Sequence, residues 1–465
     1  MAAASMTPAT IPRAIVVGAG PAGVRAAETL VAAGLRPMVI DEGMLSGGQI
    51  YRRQPANFGR PHETLYGYDA EKARSLHDAF EAIRTQVDYR PETLAWNLRE
   101  NVLHVVTNGV AAALPFDALI LATGATDRLL PIRGWTLPGC YSLGGSQVAL
   151  KAQACSIGQR PVFLGTGPLL YLVAYQYLKA GVDVAAVLDT SPFGASIRAL
   201  PDLAVRPGLL LRGLRFRRAL TKAGVTVANG VVPLEIEGDG EVTGLRYHAA
   251  GGGDRRIACD AVGMGFHLRS ENQLADLAGC PFLFDDATGM WRPEADGDGR
   301  SPRAGIYLAG DGARVLGADA AEVGGRLAAL AALADAGMSA DAALVTSLRG
   351  QMATLDRFRR GLATAFPWPA TLARSVADDV ILCRCEAITA GTMRETAEAK
   401  GAPEVNRAKA LSRIGMGRCQ GRYCGHAAAE VLAGARGSSL ESVGRLRGQA
   451  PVKPLSMATV KADTL

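Results

Sequence analysis

Aromatic residues are scarce, at 6% of the 465-residue chain, and no block of lysine and arginine is interleaved with them. The net charge of +6 is spread along the sequence, so the electrostatic footprint of a nucleic-acid binder is missing. Long apolar runs are also missing. The most apolar stretch, around Leu327–Leu333, is too short to span a bilayer and is soon interrupted by Asp335. The opening residues, MAAASMTPATIPR, have no basic start followed by an apolar core and read as neither a signal peptide nor an anchor. The six histidines (His62, His77, His104, His248, His267, His426) form no spaced metal set. His267 reads as a partly exposed loop residue. His426 stands close to a cysteine, where it either tunes a metal centre or faces water.

What is present begins with glycine. A chain of this length should divide into about three domains, and its 55 glycines cluster in G-x-G runs that let backbone approach a ligand. Residues 14–34 read as strand AIVVG, turn Gly18-Ala19-Gly20-Pro21-Ala22-Gly23, then helix VRAAETLVAAG. Gly18 permits the turn, Gly20 lets a pyrophosphate approach, and Gly23 lets the helix pack on the strand with its N-terminal amides toward the phosphates. The strand RPMVIDE follows and ends in acid, which places Asp41 or Glu42 on an adenosine ribose. Three further segments resemble those of two-dinucleotide-domain flavoproteins, and that resemblance moves the reading from any dinucleotide toward FAD. They are Gly47-Gly48-Gln49, the LILATGAT turn with Ala122, Thr123 and Gly124, and GIYLAGDGA with Gly310 and Asp311, the last expected on the flavin ribityl chain. Arg52 and Arg53 face either a phosphate or solvent. The fingerprint alone does not separate FAD from NAD or ATP, because all share the adenine-nucleotide half.

Residues 160–181 repeat the pattern with RPVFLG, Gly165-Thr166-Gly167-Pro168-Leu169-Leu170 and a helix, and the next strand ends in Asp189. Here Leu170 replaces the third glycine. A bulky residue there is expected to push the helix off the strand or alter the turn, which weighs against NAD(P) at this site.

Four of the eight cysteines are paired near the C-terminus, as Cys383-x-Cys385 and Cys419-x4-Cys424. Four thiolates hold an iron–sulfur cluster. Zinc also takes four cysteines, but zinc modules usually pair them two to four residues apart, so the spacing favours [2Fe–2S]. The other four (Cys140, Cys155, Cys259, Cys280) are scattered singly, and QIYRRQP after Gly48 contains none, so a redox dithiol is not expected. Reduced thiols as ligands fit a cytoplasmic location.

With VVGAGPAG, GGQIYRR, ATGATDR…PIRGWTLPG, LGTGPLL, AGDGA and CRCE…GMGRCQGRYC in this order, nearly the whole chain resembles the FAD/[2Fe–2S] α subunit of heteromeric amine, amino-acid and opine dehydrogenases or oxidases. That group includes octopine/nopaline oxidase, D-hydroxyproline dehydrogenase and the B subunit of hydrogen cyanide synthase, and the cysteine-bearing end resembles a BFD-like [2Fe–2S] domain. The resemblance implies an α/β fold: two dinucleotide-binding, glutathione-reductase-like Rossmann-type domains, one inserted in the other, and a small helical cluster domain. The expected division is a flavin domain over 1–145 and 269–340, a second dinucleotide-like domain over 146–268, a helical linker over 341–377, the cluster domain over 378–447 and a loose tail over 448–465.

The resemblance also implies a flavoprotein β subunit carrying the amine-oxidising site, with room for a small third subunit, and for FMN at an interface between subunits. An external acceptor would take the electrons. Two other functions stay open at this point: a self-sufficient NAD(P)H-dependent reductase, and a non-catalytic assembly or redox-sensing subunit with a structural nucleotide.

Overall fold

The computed structural model describes residues 13–461. The opening segment read above as neither leader nor anchor lies, but for Arg13, outside the described residues. Strand Ala14–Val17 is buried along its whole length and pairs in parallel with Met38–Ile40 on one side and Ala118–Leu121 on the other. Ile306–Leu308 and the polar edge strand Asp88–Arg90 complete a five-stranded parallel sheet, whose central strands Ala14–Val17 and Ala118–Leu121 are apolar on both faces because they are covered on both. A second parallel sheet runs in the order Thr226–Asn229, Ala186–Asp189, Pro161–Thr166, Ala261–Phe266, Cys140–Ser142. The chain enters this unit beside strand Ala125–Asp127 and leaves it through Leu268–Ser270, and the two pair antiparallel. One α/β unit is thus inserted in another, as expected.

Helix Ala318–Asp335 closes the first unit by packing on helix Pro21–Ala32. A Cβ on Gly325 would stand 2.0 Å from the Ala22 carbonyl oxygen, so this approach tolerates no side chain. The charged ends of the contact are matched: Arg25 donates to Glu322 at 2.8 Å and to Glu28 at 3.1 Å. Helix Ala342–Ala365 then crosses to a C-terminal unit with a short hairpin (Ile381–Cys383 with Ile388–Thr389) and helices Ala390–Glu398, Val405–Ser412 and Gly425–Arg436.

Two expectations are corrected. Leu170 does not displace its helix: the side chain is fully buried in one core with Phe163 and Tyr177, so helix Pro168–Lys179 stays against its strand. The described part of the expected tail, residues 448–461, is not loose. Val452 is buried and its amide donates to the Trp96 carbonyl at 3.0 Å, while Val460–Lys461 pairs in parallel with Val110–Pro115. Among the described residues no helix is long and apolar enough to cross a membrane.

Candidate cofactor sites and their connection

The first glycine turn is dictated by contact. Gly18 has φ +107°, and a Cβ there would lie 2.3 Å from the Ala122 carbonyl oxygen. A Cβ on Gly23 would lie 1.7 Å from the Gly18 carbonyl oxygen, so the helix can sit this close to the strand only without a side chain. Gly20 is the N-cap and offers no side-chain acceptor, and the first turn holds no acid, which leaves the amides after it for an anion. Gly48 packs against this turn: its Cβ would fall 2.8 Å from Gly20 Cα. Pro21, Ala22 and Gln49 flank that contact in sequence.

Asp41 is brought to the turn, where its carboxylate accepts from the Ala19 amide at 2.5 Å and the Gly43 amide at 2.6 Å. Burial raises its pKa against those two hydrogen bonds. Glu42 points elsewhere, to Lys453 of the C-terminal segment. Asp311 accepts from the amides of Leu316 and Gly317 at 2.8 and 2.9 Å, and burial raises its pKa too. Gly310 packs on Ala22, at 2.8 Å from where its Cβ would be to Ala22 Cβ, so the two glycine-rich ends meet. Of the two arginines after the GG turn, Arg53 bonds Glu81 at 2.9 Å and Arg52 bonds Gln49 at 2.7 Å.

The second turn is put to internal use. Asp189, at the end of its strand, is fully buried and accepts from Tyr171 Oη at 2.8 Å, the Ser191 amide at 2.8 Å and Asn229 Nδ2 at 3.3 Å. Burial pushes it up to about 6. His267, beside the turn, is partly buried and contacts the Phe366 carbonyl at 2.5 Å; burial drives it down to about 3.

At the C-terminal end folding gathers the four paired thiols. Cys424 hydrogen-bonds to both Cys383 and Cys419, and Cys419 also contacts Cys385. The Cys424 bond is the main reason Cys383 falls to about 6 and Cys419 to about 5, while Cys424 itself is raised. Backbone amides of Gly415, Cys385 and Glu386 point at Cys383, and those of Gly421 and Tyr423 at Cys419. Gly417 has no room for a side chain, since its Cβ would fall 2.2 Å from Cys385 Cβ. Among the described residues no group of three or more His, Cys, Asp or Glu side chains is arranged to hold a metal ion as it stands. The thiols bond to one another in a chain instead, and four thiolates with amides directed at the sulfurs are the donor chemistry of a [2Fe–2S] centre. His426 is only partly buried and packs against Arg128 and Trp368.

The two sites are joined through Thr123 and Gly124 by Glu271, Arg422, Arg269 and Gln273, which sequence reasoning did not single out. Thr123 Oγ1 donates to the Glu271 carbonyl at 2.5 Å, and the Glu271 amide donates to the Gly124 carbonyl at 2.9 Å. The Glu271 carboxylate takes two hydrogen bonds from Arg422, at 2.6 and 2.9 Å, and Arg422 also donates to the Cys419 carbonyl at 3.2 Å. Arg269 and Gln273 bond the carbonyls of Arg422 and Gln420 at 2.7 and 2.8 Å. On another face Trp135 Nε1 donates to the Ile381 carbonyl at 2.6 Å. The cysteine loop is therefore fastened to the segment that follows the ATG turn.

Comparison with known proteins agrees with this geometry. The pyridine nucleotide-disulphide oxidoreductase family matches residues 12–332, and the BFD-like [2Fe-2S] binding domain matches residues 381–434. The A subunit of opine oxidase from Agrobacterium tumefaciens (strain Ach5) is 40% identical over 96% of this chain and 90% of its own length. The chain belongs to the family of opine oxidase A subunits. Hydrogen cyanide synthase subunit HcnB of Pseudomonas aeruginosa is 32% identical over 95% of this chain and 97% of its own. L-proline dehydrogenase from P. horikoshii shares the fold, at a TM-score of 0.70 and 18% identity over 97% of this chain and 79% of that one. The chain is accordingly an FAD-dependent oxidoreductase subunit with a [2Fe–2S] domain.

Proposed function

We propose that this chain is the electron-transfer subunit of a heteromeric dehydrogenase or oxidase acting on an opine or a secondary-amine amino acid, of the octopine/nopaline or hydroxyproline type. The observation that carries this reading is the fastening of the four-thiol loop to the ATG turn through Glu271 and Arg422. Gly18, Gly20, Pro21, Ala22 and Gly23 would take the FAD pyrophosphate, and Asp41, with Glu42 next to it, the adenosine ribose. Gly48, Gln49, Ala122, Thr123, Gly124, Gly310 and Asp311 would line the rest of the flavin. Cys383, Cys385, Cys419 and Cys424 would hold the cluster. When bound, FAD supplies two-electron acceptance and the cluster one-electron transfer. The chain's own residues position: Asp311 is held by two backbone amides, and the amides around Cys383 and Cys419 favour the thiolate form.

The substrate-oxidising site would belong to a flavoprotein β subunit, with an external acceptor beyond the cluster and the complex in the cytoplasm. An interface FMN and a small third subunit belong to the same scheme. The internal bonding of Asp189 supports a scaffold role for the second dinucleotide fold and weighs against a self-sufficient NAD(P)H reductase. The test is an absorption spectrum of anaerobically purified protein, with flavin, iron and sulfide assayed on the same sample. Flavin with about two irons and two sulfides per chain is expected, and Cys424→Ala should lose the iron and sulfide but keep the flavin. Zinc without sulfide would remove the electron-relay reading.

A further inference from the structure

Around the Gly47-Gly48 turn the main chain has no regular structure to satisfy it: residues 41–61 form neither helix nor strand. Buried backbone carbonyls must still find partners. Three successive ones do so with buried side chains drawn from three different helices. The Ile50 carbonyl accepts from Lys151 Nζ at 2.9 Å, on helix Leu143–Ala152 of the inserted unit. The Tyr51 carbonyl accepts from His77 Nε2 at 2.9 Å, on helix Ala70–Ile83. The Arg52 carbonyl accepts from Tyr66 Oη at 2.9 Å, on helix His62–Tyr66.

The middle contact is the one that reaches the glycine turn. The Tyr51 amide donates back to the Gly47 carbonyl at 3.2 Å, and the Gly47 amide donates to the Ala19 carbonyl at 2.8 Å. A Cβ on Gly47 would lie 2.3 Å from the Tyr51 carbonyl oxygen and 2.9 Å from His77 Nε2, so imidazole, carbonyl and turn touch one another.

His77 is 6% exposed, and burial lowers its pKa to about 4, so at pH 7 the ring is neutral and carries a single N–H. A carbonyl only accepts, which fixes that hydrogen on Nε2. Nδ1 is left as an acceptor, and His62 Nε2 stands 3.4 Å from it. Tyr66 packs edge-on against the His77 ring, with 5.9 Å between centroids. The proposed electron relay uses neither histidine.

We infer that His77 is a positioning residue for the nucleotide at the first glycine turn, FAD on the proposed reading: through the Tyr51 carbonyl it sets the Gly47-Gly48 turn against Gly20. The inference rests on that reading of the turn. Loss of this donor should act on cofactor release more than on the fold, because strand Ala14–Val17 and helix Pro21–Ala32 are held by the sheet and by helix Ala318–Asp335.

The test dilutes the holoprotein at pH 7, times the release of its adenine-bearing cofactor and identifies the released molecule by chromatography. His77→Leu fills the space without a donor and should release the cofactor about tenfold faster or more, the scale of one buried carbonyl left unpaired. His77→Gln keeps a donor and should lie closer to the parent than to His77→Leu. Leu76→Ala, fully buried on the same helix, loosens the core without touching that carbonyl. It should lower the unfolding transition yet release cofactor as the parent does. Parent-like release from His77→Leu, equally fast release from Leu76→Ala, or no rescue by His77→Gln overturns the inference. If His77→Leu fails to fold, nitrogen-15 spectra of the histidines in the unsubstituted holoprotein decide. A neutral His77 with its hydrogen on Nε2 supports the inference, and a hydrogen on Nδ1 or a protonated ring overturns it. Release of NAD or ATP in place of FAD removes the flavin reading alone, since the same rates still decide the role of His77. A parent with no adenine-bearing cofactor overturns both.

Discussion

Glu271→Gln offers the sharpest test of how the cluster unit is held. Both partners of the Glu271–Arg422 pair are about nine-tenths buried, with side chains 10% and 9% exposed. At a charge separation of ~4 Å and an effective dielectric of ~20, their attraction is about 4 kcal/mol. Losing one partner of a buried pair typically costs about 3–5 kcal/mol, because the remaining charge is stranded. Arg422 would keep its bonds to the Val452 and Cys419 carbonyls, which places the expected loss near the lower end, about 3 kcal/mol. Burial raises the Glu271 pKa, but Arg422 and Arg269 outweigh it and leave the value below the ordinary 4.5. The sign follows: the pair stabilises the native state fully above about pH 4.5, and that contribution is lost as pH falls through the lower folded value. The variant should therefore unfold earlier at pH 7, differ less from the parent at lower pH, and release iron to a chelator faster while retaining flavin. Flavin and iron lost together would mean that Glu271 supports both units and does not act on the cysteine loop alone. An unchanged transition at pH 7 would refute the reasoning.

Other perturbations have equally definite outcomes. Gly23→Ala places a Cβ 1.7 Å from the Gly18 carbonyl oxygen; with overpacking costs of about 1–3 kcal/mol, flavin content per chain should fall severalfold or more, measured on the released cofactor. Lys151 is buried with its ammonium on the Ile50 carbonyl at 2.9 Å, and burial lowers it from 10.5 to about 8. That shift is about 3 kcal/mol of penalty, complete below about pH 8 and absent above 10.5. Lys151→Met should thus stabilise the protein by about 2 kcal/mol at pH 7 after the lost hydrogen bond of about 1 kcal/mol, with the gain fading as pH rises in chemical denaturation. Trp135→Phe should cost about 1–3 kcal/mol by leaving the Ile381 carbonyl unbonded, with proteolysis near residue 381 as the readout.

Local chemistry was legible in the sequence because local chemistry constrains neighbouring residues. Gly18 and Gly23 meet each other within one turn, and Cys383 and Cys385 stand at one short strand end, so their spacing carries their meaning. Leu170 misled because the third position of a glycine turn was read as a contact with the strand, whereas its side chain enters the apolar core behind the helix. Asp189 ends its strand as Asp41 does, yet Tyr171 and Asn229 surround it, and only the fold brings Asn229 there. The C-terminal segment carries the polar residues of a tail, and nothing in it announces that Lys453 meets Glu42 or that the Val452 carbonyl accepts from Arg422.

That last pair of contacts changes how the cluster unit should be regarded. Arg422 sits between Cys419 and Cys424 in sequence, but its partners are Glu271 in the first α/β unit and Val452 in the C-terminal segment. The residue that orders the Cys419 loop thus draws on two distant parts of the chain. A fragment holding only residues 378–447 would retain all four thiols and lose both supports. Its loop would have to order Arg422 with water in place of Glu271. On the proposed reading the four cysteines define what the unit binds, whereas its place beside the ATG turn is set by residues outside it.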